Sequence, residues 1–228
     1  MKQDSRCSLS WVFLWPALVV PLLGSLLYFV WLPGAAWAQA VYGLTKLFTL
    51  VYPFFFVGWK ELLKQAPTVS WKAVIVWGLG SGVAICAAGA LLMLSPVGDM
   101  VREGAGPIRE KAEQLGFVSN FLLFAVFISI FHSALEEFYW RGFVFGKLRE
   151  KTGRVVAHVG AGIAFAAHHL VVTWQYFDPP LASVGLVRRD WWSDLDFLYQ
   201  RQGSLIGCWL SHLCVDVFLM VVGYQLMF

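Results

Sequence analysis

Long apolar stretches separated by short polar segments dominate the chain. Six of them are long enough to cross about 30 Å of hydrocarbon as an α-helix. They cover residues 9–31, 37–59, 71–94, a stretch that begins at 117, 155–176 and 204–228. The pattern therefore predicts an all-α, polytopic membrane helix bundle with about six transmembrane helices, and the length suits a single membrane domain, residues 1–228.

The polar segments predict how these spans are connected. Residues 107–115 begin with proline, carry mixed charges and precede Gly116, which is typical of a short surface helix. Thr152 and Gly153 predict the turn between the fourth and fifth spans, and residues 177–202 predict a polar loop. Lys46, in the middle of the second span, is expected to face the bundle interior or to extend towards the interface.

The first apolar stretch admits a second interpretation, a cleaved signal peptide, because Ala36-Trp37-Ala38 imitates a signal-peptidase site. Its apolar run exceeds twenty residues, whereas the apolar region of a signal peptide has about 7–15. A retained helix is therefore the favoured interpretation.

Composition agrees with a membrane protein. The chain is 59% hydrophobic and 14% charged, against about 25% charged residues in soluble domains. Lys and Arg flank the apolar spans instead of forming a basic stripe, so no nucleic-acid partner is expected. The four cysteines have no CxxC spacing and are expected to be reduced. With a cytoplasmic N-terminus, ten Lys and Arg residues lie inside against six outside, which favours both termini in the cytoplasm.

Two adjacent glutamates, Glu136 and Glu137, close an apolar run and are the strongest functional signal in the chain. A carboxylate in a membrane span costs at least ~2.5 kcal/mol on insertion scales, so a pair requires a physical reason. Glu137 and Arg141 are one helical turn apart and can form an ion pair. Glu136 projects about 100° away, on the face of His132, and is free for chemistry. The alternative is a pair of solvated charges at a helix end.

Later polar residues are expected at the depth of Glu136. His169 lies in the fifth span, and His212 and Asp216 lie one turn apart in the sixth. If the fourth and fifth helices form an antiparallel hairpin, Glu136 and His169 both lie about 24 Å from the turn. His169 and His212 share a depth below the 177–202 loop, so Glu136, His169 and His212 are expected to meet at one level.

Such a set supports two kinds of chemistry. A carboxylate and a neutral imidazole that share a water form a general-base pair, and a second imidazole can stabilise an oxyanion, which together suit acyl hydrolysis. A glutamate and two histidines, here Glu136, His169 and His212, are also a zinc ligand set. The spacing leaves both open. The HExxH and GxSxG signatures of common soluble hydrolases are absent from the sequence.

Three motifs in this order resemble those of the CAAX-protease and bacteriocin-processing family, which includes the Rce1-type prenyl-protein endopeptidases and the bacterial Abi proteins. EEFYWR at 136–141 resembles the EExxxR motif of the family, FAAHH at 165–169 its FxxxH motif, and HLCVD at 212–216 its HxxxN/D motif. The residues that flank the second and third motifs are similar as well. The resemblance covers residues 117–222, the expected catalytic core.

The resemblance implies an intramembrane endopeptidase with an active site on the fourth, fifth and sixth helices. In it Glu136 and His169 activate a water molecule, while His212 and Asp216 line the oxyanion side. Asp216 stands where many members have Asn, and a carboxyl group donates to an oxyanion only when protonated. A second departure is the polar segment 177–202, where relatives often have an apolar helix.

The resemblance further implies structural support of the first motif by Glu137 and Arg141, with Phe165 opening the second motif. A glutamate mechanism needs no cofactor, although zinc bound by Glu136, His169 and His212 is the alternative. The expected partners are the lipid bilayer and a membrane-associated protein or peptide substrate. The expected location is the bacterial inner membrane.

Two functions from other classes compete with the protease. A non-catalytic immunity or scaffold protein of the same fold would bind a partner in the bilayer, but it has no need for Glu136, His169 and His212 together. A proton-coupled transporter requires charges along a path through several helices, and the N-terminal half offers only Lys46.

Overall fold

In the computed structural model, residues 10–35, 37–57, 66–114, 116–176 and 189–228 are described, and this part of the chain contains helices and no strand. The all-α membrane bundle predicted from the sequence is confirmed, and the chain is a multi-pass membrane protein. The described helices are α1 (Trp11–Trp31), α2 (Ala38–Val51), α3 (Trp71–Met93), α4 (Pro96–Glu103), α5 (Gly106–Gln114), α6 (Phe121–Thr152), α7 (Arg154–Tyr176), α8 (Arg189–Gln202) and α9 (Leu205–Met227).

Five of the described helices are long and apolar enough to cross a membrane, namely α1, α3, α6, α7 and α9, against about six expected from the sequence. The second predicted span, 37–59, contains α2, which has 14 residues, and a short 3-10 turn at Tyr52–Phe55, whereas residues 58 and 59 lie outside the described part. Fourteen helical residues span about 21 Å, less than the hydrocarbon thickness. Pro53 begins this turn and cannot continue the α-helical hydrogen bonding.

Helix α6 carries both glutamates near its middle, because it has 32 residues and continues past them to Thr152. Wider π-helical turns at Phe127–His132 and Phe138–Phe145 flank the α-helical segment Ser133–Glu137. Such turns are frequent at functional sites. The glutamates are buried, so the alternative of solvated charges at a helix end is wrong.

The connections between helices agree with the sequence-based prediction except between α7 and α9. A surface helix forms at Gly106–Gln114, as predicted, and Gly153 makes the α6–α7 turn with φ +84°. The second half of the predicted polar loop instead forms α8, whereas residues 177–188 lie outside the described part. Helix α8 packs against α7 and α9 and buries Leu195 and Asp196, which anchors it to the bundle.

Small residues let α3 and α9 approach closely. A Cβ atom on Gly78 would lie 2.6 Å from the carbonyl oxygen of Gly207, and one on Gly82 would lie 2.7 Å from Cβ of Cys214. Ser81 also donates a hydrogen bond to Ser211 across the contact, at 3.0 Å. This contact holds α9, with its histidine, at a fixed distance from α3.

A proline in α1 creates the contact that joins α1 to the first motif. Pro21 has no N–H group, so the carbonyl of Ala17 lacks its usual helical donor. The hydroxyl of Tyr139 donates to that carbonyl at 2.7 Å. An unsatisfied carbonyl costs several kcal/mol inside a membrane, so this bond fixes α1 against α6 beside the glutamates.

Gly78→Ala is expected to lower stability, because the added Cβ would collide with the backbone of α9. Overpacking of this kind costs roughly 1–3 kcal/mol. Gly80→Ala on the same helix is the matched control, since no described atom lies within 4 Å of a Cβ at that position. Thermal unfolding of the purified protein in detergent checks the difference. Equal melting temperatures for the two variants would contradict the close α3–α9 contact.

Candidate active site

The two adjacent glutamates of α6 are both buried and have different surroundings. Glu136 is 7% exposed and Glu137 1% exposed. Consecutive helical residues project about 100° apart, so one carboxylate meets a set of histidines and the other an arginine. The division between a functional and a structural glutamate, predicted from spacing, has a geometric basis here.

Glu136 lies at the centre of a ring of basic side chains from three other helices and its own. Its Oε1 atom is 3.0 Å from Nε2 of His132 and 3.8 Å from Nζ of Lys46. Its Oε2 atom is 4.0 Å from Nε2 of His169 and 3.9 Å from Nε2 of His212. The residues expected to meet at one level, Glu136, His169 and His212, therefore do lie together.

Glu137 connects the first motif to the third. Its Oε1 atom accepts a hydrogen bond from Nη1 of Arg141 at 2.9 Å, so the predicted pair is present. The same oxygen lies 2.7 Å from Nδ1 of His212. A carboxylate only accepts, so Nδ1 of His212 is the donor. In the neutral ring this leaves the Nε2 lone pair directed to the side of Glu136.

Arg141 receives a second carboxylate from α8. Its Nε atom donates to Oδ1 of Asp196 at 3.0 Å, and Arg141 and Asp196 are 1% and 2% exposed. Burial raises the pKa of Asp196 to about 6, and the neighbouring guanidinium acts in the opposite direction. Nδ1 of His158 lies 3.5 Å from the other oxygen of Asp196. Asp196 was not predicted as a site residue, since it lies in a segment predicted to be a loop.

The second motif presents two histidines to Glu136. His169 lies with Nδ1 3.2 Å from the carbonyl of Phe165, so Nδ1 is the donor and Nε2 faces Oε2 of Glu136. His168, for which no role was predicted, lies with Nε2 3.9 Å from Oε1 of Glu136. The ring of Trp140 stacks on His168 at 5.6 Å. Two consecutive residues of α7 thus place their imidazoles near the same carboxylate.

Phe165 and Asp216 occupy supporting positions. Phe165 is 1% exposed, and its ring lies 5.0 Å from the guanidinium carbon of Arg141. Oδ1 of Asp216 lies 3.7 Å from Nε2 of His212. Asp216 therefore stands beside His212, and Nδ1 of His212 donates to Glu137 the hydrogen bond that orients the imidazole.

A pocket lies against Glu136 between the N-terminal helices and α6. Its walls include Lys46 and Thr49 of α2, Pro21 of α1, and His168 of α7. Glu136 borders this pocket, while His169 and His212 do not line it. A substrate group in the pocket would therefore approach Glu136 from the side of Lys46.

The donor atoms at this site are also chemically suited to a metal ion. Glu136, His168 and His169 each offer an atom, and these atoms lie within 4.8 Å of one another. One carboxylate and two imidazoles are a zinc set, and a zinc ion bound there would supply an activated water. The group differs from the sequence-based set in that His168 replaces His212, whose Nδ1 is bonded to Glu137.

Arg141→Ala is expected to lower both folded yield and melting temperature. Removing one partner of a buried ion pair typically costs about 3–5 kcal/mol, because a charge is left without compensation. Arg149→Ala, at an exposed position on the same helix, is the control. Size-exclusion profiles and thermal unfolding in detergent give the comparison, and a normal profile for Arg141→Ala would argue against its structural role.

Comparison with known proteins supports the resemblance seen in the motifs. Residues 118–218 match the family model described as type II CAAX prenyl endopeptidase Rce1-like. No curated protein and no solved structure matches the chain. The match contains all three motifs and indicates a CAAX-type intramembrane protease, a hydrolase that acts on a membrane-associated substrate. The part of the chain that holds Glu136, His169 and His212, residues 118–218, is similar to the Rce1-like family.

Proposed function

We propose that this protein is an intramembrane endopeptidase in which Glu136 activates a water molecule for attack on a peptide bond. The observation that carries the proposal is the environment of Glu136, a 7% exposed carboxylate with imidazoles from α6, α7 and α9 within 3.0–4.0 Å. A purely structural carboxylate needs one good partner, and Glu137 has that arrangement with Arg141.

The spacing between Glu136 and His169 suits a shared water. Their nearest atoms are 4.0 Å apart, which is too long for a direct hydrogen bond and short enough for one water to contact both. Nδ1 of His169 donates to Phe165, so Nε2 of the neutral ring is an acceptor. Two acceptors around one water favour removal of its proton as it attacks.

His212 and Asp216 belong to the oxyanion side by their family resemblance. Nε2 of His212 lies 3.9 Å from Glu136 and 3.7 Å from Asp216. Donation to an oxyanion requires a proton on Nε2 or on the carboxyl group of Asp216, because a carboxylate only accepts. Asparagine at 216 would supply an N–H donor without this requirement, so Asp216→Asn should be tolerated.

The substrate class follows from the Rce1-like description. A CAAX prenyl endopeptidase acts on a chain whose cysteine carries a prenyl group, and a prenyl group partitions into the bilayer. We propose such a membrane-associated peptide or protein as substrate. The bacterial Abi resemblance supports a location in the bacterial inner membrane.

Two alternative functions can be compared with the protease through specific observations. A zinc hydrolase would use Glu136, His168 and His169, whose donor atoms fit a metal. Lys46, a cation 3.8 Å from the same carboxylate, favours the metal-free mechanism, since it already supplies positive charge there. An immunity or scaffold protein would keep the fold, but it gives no reason for four histidines around Glu136.

Glu136→Gln is expected to lower kcat by at least about 100-fold, because an amide cannot accept the proton of water. The substitution conserves shape, so the melting temperature and substrate binding should change little. The assay uses full-length protein in lipid nanodiscs and an internally quenched, prenylated CAAX peptide. Glu110→Gln, on the exposed face of α5, is the control. Unchanged cleavage by Glu136→Gln would contradict the proposal.

A further inference from the structure

Lys46 is a basic residue of the site that lies outside the family match. It is on α2, and its ammonium lies 3.8 Å from Oε1 of Glu136. It also lies 5.4 Å from the centre of the Tyr42 ring. A lysine in an apolar segment is expensive and faces the bundle interior or a cavity. Here α2 brings it to the carboxylate proposed as the base.

The contact is looser than a purely structural ion pair. The buried pair of Arg141 and Glu137 closes to 2.9 Å, whereas Lys46 and Glu136 remain 3.8 Å apart. Within the described residues the ammonium makes no direct hydrogen bond, and the Lys46 side chain is 31% exposed. Its three N–H donors are therefore available to a molecule that enters from that side.

The pocket is on that side as well. Lys46, Thr49 and Glu136 line one pocket together with Pro21 and His168. The two oxygens of Glu136 face different groups: Lys46 lies 3.8 Å from Oε1, and His169 lies 4.0 Å from Oε2. A peptide carbonyl placed against this carboxylate from the pocket would have a water on the His169 edge and a cation on the Lys46 edge.

We propose that Lys46 is a catalytic residue that donates a hydrogen bond to the oxygen of the scissile carbonyl as that oxygen becomes an oxyanion. The inference rests on the proposed function. The water oxygen bonds to the carbonyl carbon, its proton passes to Glu136, and the C=O electron pair moves to the oxygen beside Lys46. The intermediate then collapses: the C–N bond breaks, and Glu136 returns the proton to the leaving nitrogen.

Distance argues against the other anion that Lys46 could bind, the terminal carboxylate of the substrate. In a CAAX peptide three residues follow the prenylated cysteine, and three extended residues span about 10 Å. Lys46 lies only 3.8 Å from the base, so it is close to the reacting carbonyl and not to the chain end. Preorganised donors at this position stabilise the charge that develops in the transition state.

The test separates direct contact with the oxyanion from an effect through Glu136. It compares three variants, Lys46→Met, Lys46→Arg and the exposed control Lys72→Met. Each is made twice, once with the native Glu136 and once combined with Glu136→Gln, and all are studied as full-length protein in nanodiscs. The probes are the prenylated CAAX peptide and two analogues of it. One has an anionic phosphinate in place of the scissile amide, and the other has a neutral ketomethylene.

Lys46→Met is expected to lower kcat roughly 100-fold, the usual effect of losing one oxyanion donor, with KM within about twofold. It should weaken phosphinate binding by a similar factor with Glu136 and with Glu136→Gln, and it should leave ketomethylene binding unchanged. Lys46→Arg should recover part of both losses, and Lys72→Met should behave as wild type.

Phosphinate affinity that does not depend on Lys46 in the Glu136→Gln protein would overturn the assignment, because Lys46 would then act only through Glu136. The same probes are also made with a terminal amide in place of the free carboxylate. A Lys46 effect that is lost in these amides would overturn the assignment in favour of the chain end. Failure of the proposed function looks different: the wild type would not cleave the peptide, while the Lys46-dependent preference for phosphinate would persist.

Discussion

Buried charge compensation around Arg141 is the constraint on which the rest of the structure depends. The guanidinium bonds Glu137 of its own helix and Asp196 of α8, and Glu137 in turn bonds His212 of α9. Each of these groups would be expensive to bury alone. Together they link α6, α8 and α9, so the electrostatic requirement also fixes the imidazole of the third motif.

This network gives the two glutamates different hydrogen-bonding environments. Glu137 is held by direct hydrogen bonds of 2.7 and 2.9 Å, which make it a rigid support. Glu136 has one close partner, His132, while its other basic neighbours lie at 3.8–4.0 Å. A carboxylate held in this way is oriented and keeps room for a water molecule, as the proposed mechanism requires. Rigid support beside a loosely bonded reactive group is what a preorganised site requires.

The sequence predicted the parts of the site that follow from helical periodicity. The spacing of Glu137 and Arg141 predicted their pair, and depth along the helices predicted that Glu136, His169 and His212 converge. It could not predict Asp196, because the polar segment around that residue has no apolar run that marks a buried helix. The sequence also left open which way the Lys46 side chain points. Its partner, Glu136, lies 90 positions further along the chain, and only the packing of α2 brings the two together.

The fold, like the site, was predicted where it follows from local patterns along the chain. Long apolar runs predicted the membrane helices, but α2 ends at Val51 and is shorter than a span. The hydrogen bond from Tyr139 to Ala17 depends on the missing N–H of Pro21 and on tertiary packing, so no local pattern indicates it. Contacts between distant segments are thus what the structure adds, and they include Lys46 at the proposed base.

The central claim is that the carboxylate of Glu136, without a metal ion, activates the water. The most direct measurement is the metal content of the purified full-length protein together with peptide cleavage before and after treatment with a strong chelator. The glutamate mechanism predicts no stoichiometric metal and an unchanged rate of cleavage. Stoichiometric zinc, with cleavage that stops on its removal and returns when Zn²⁺ is added, would contradict it.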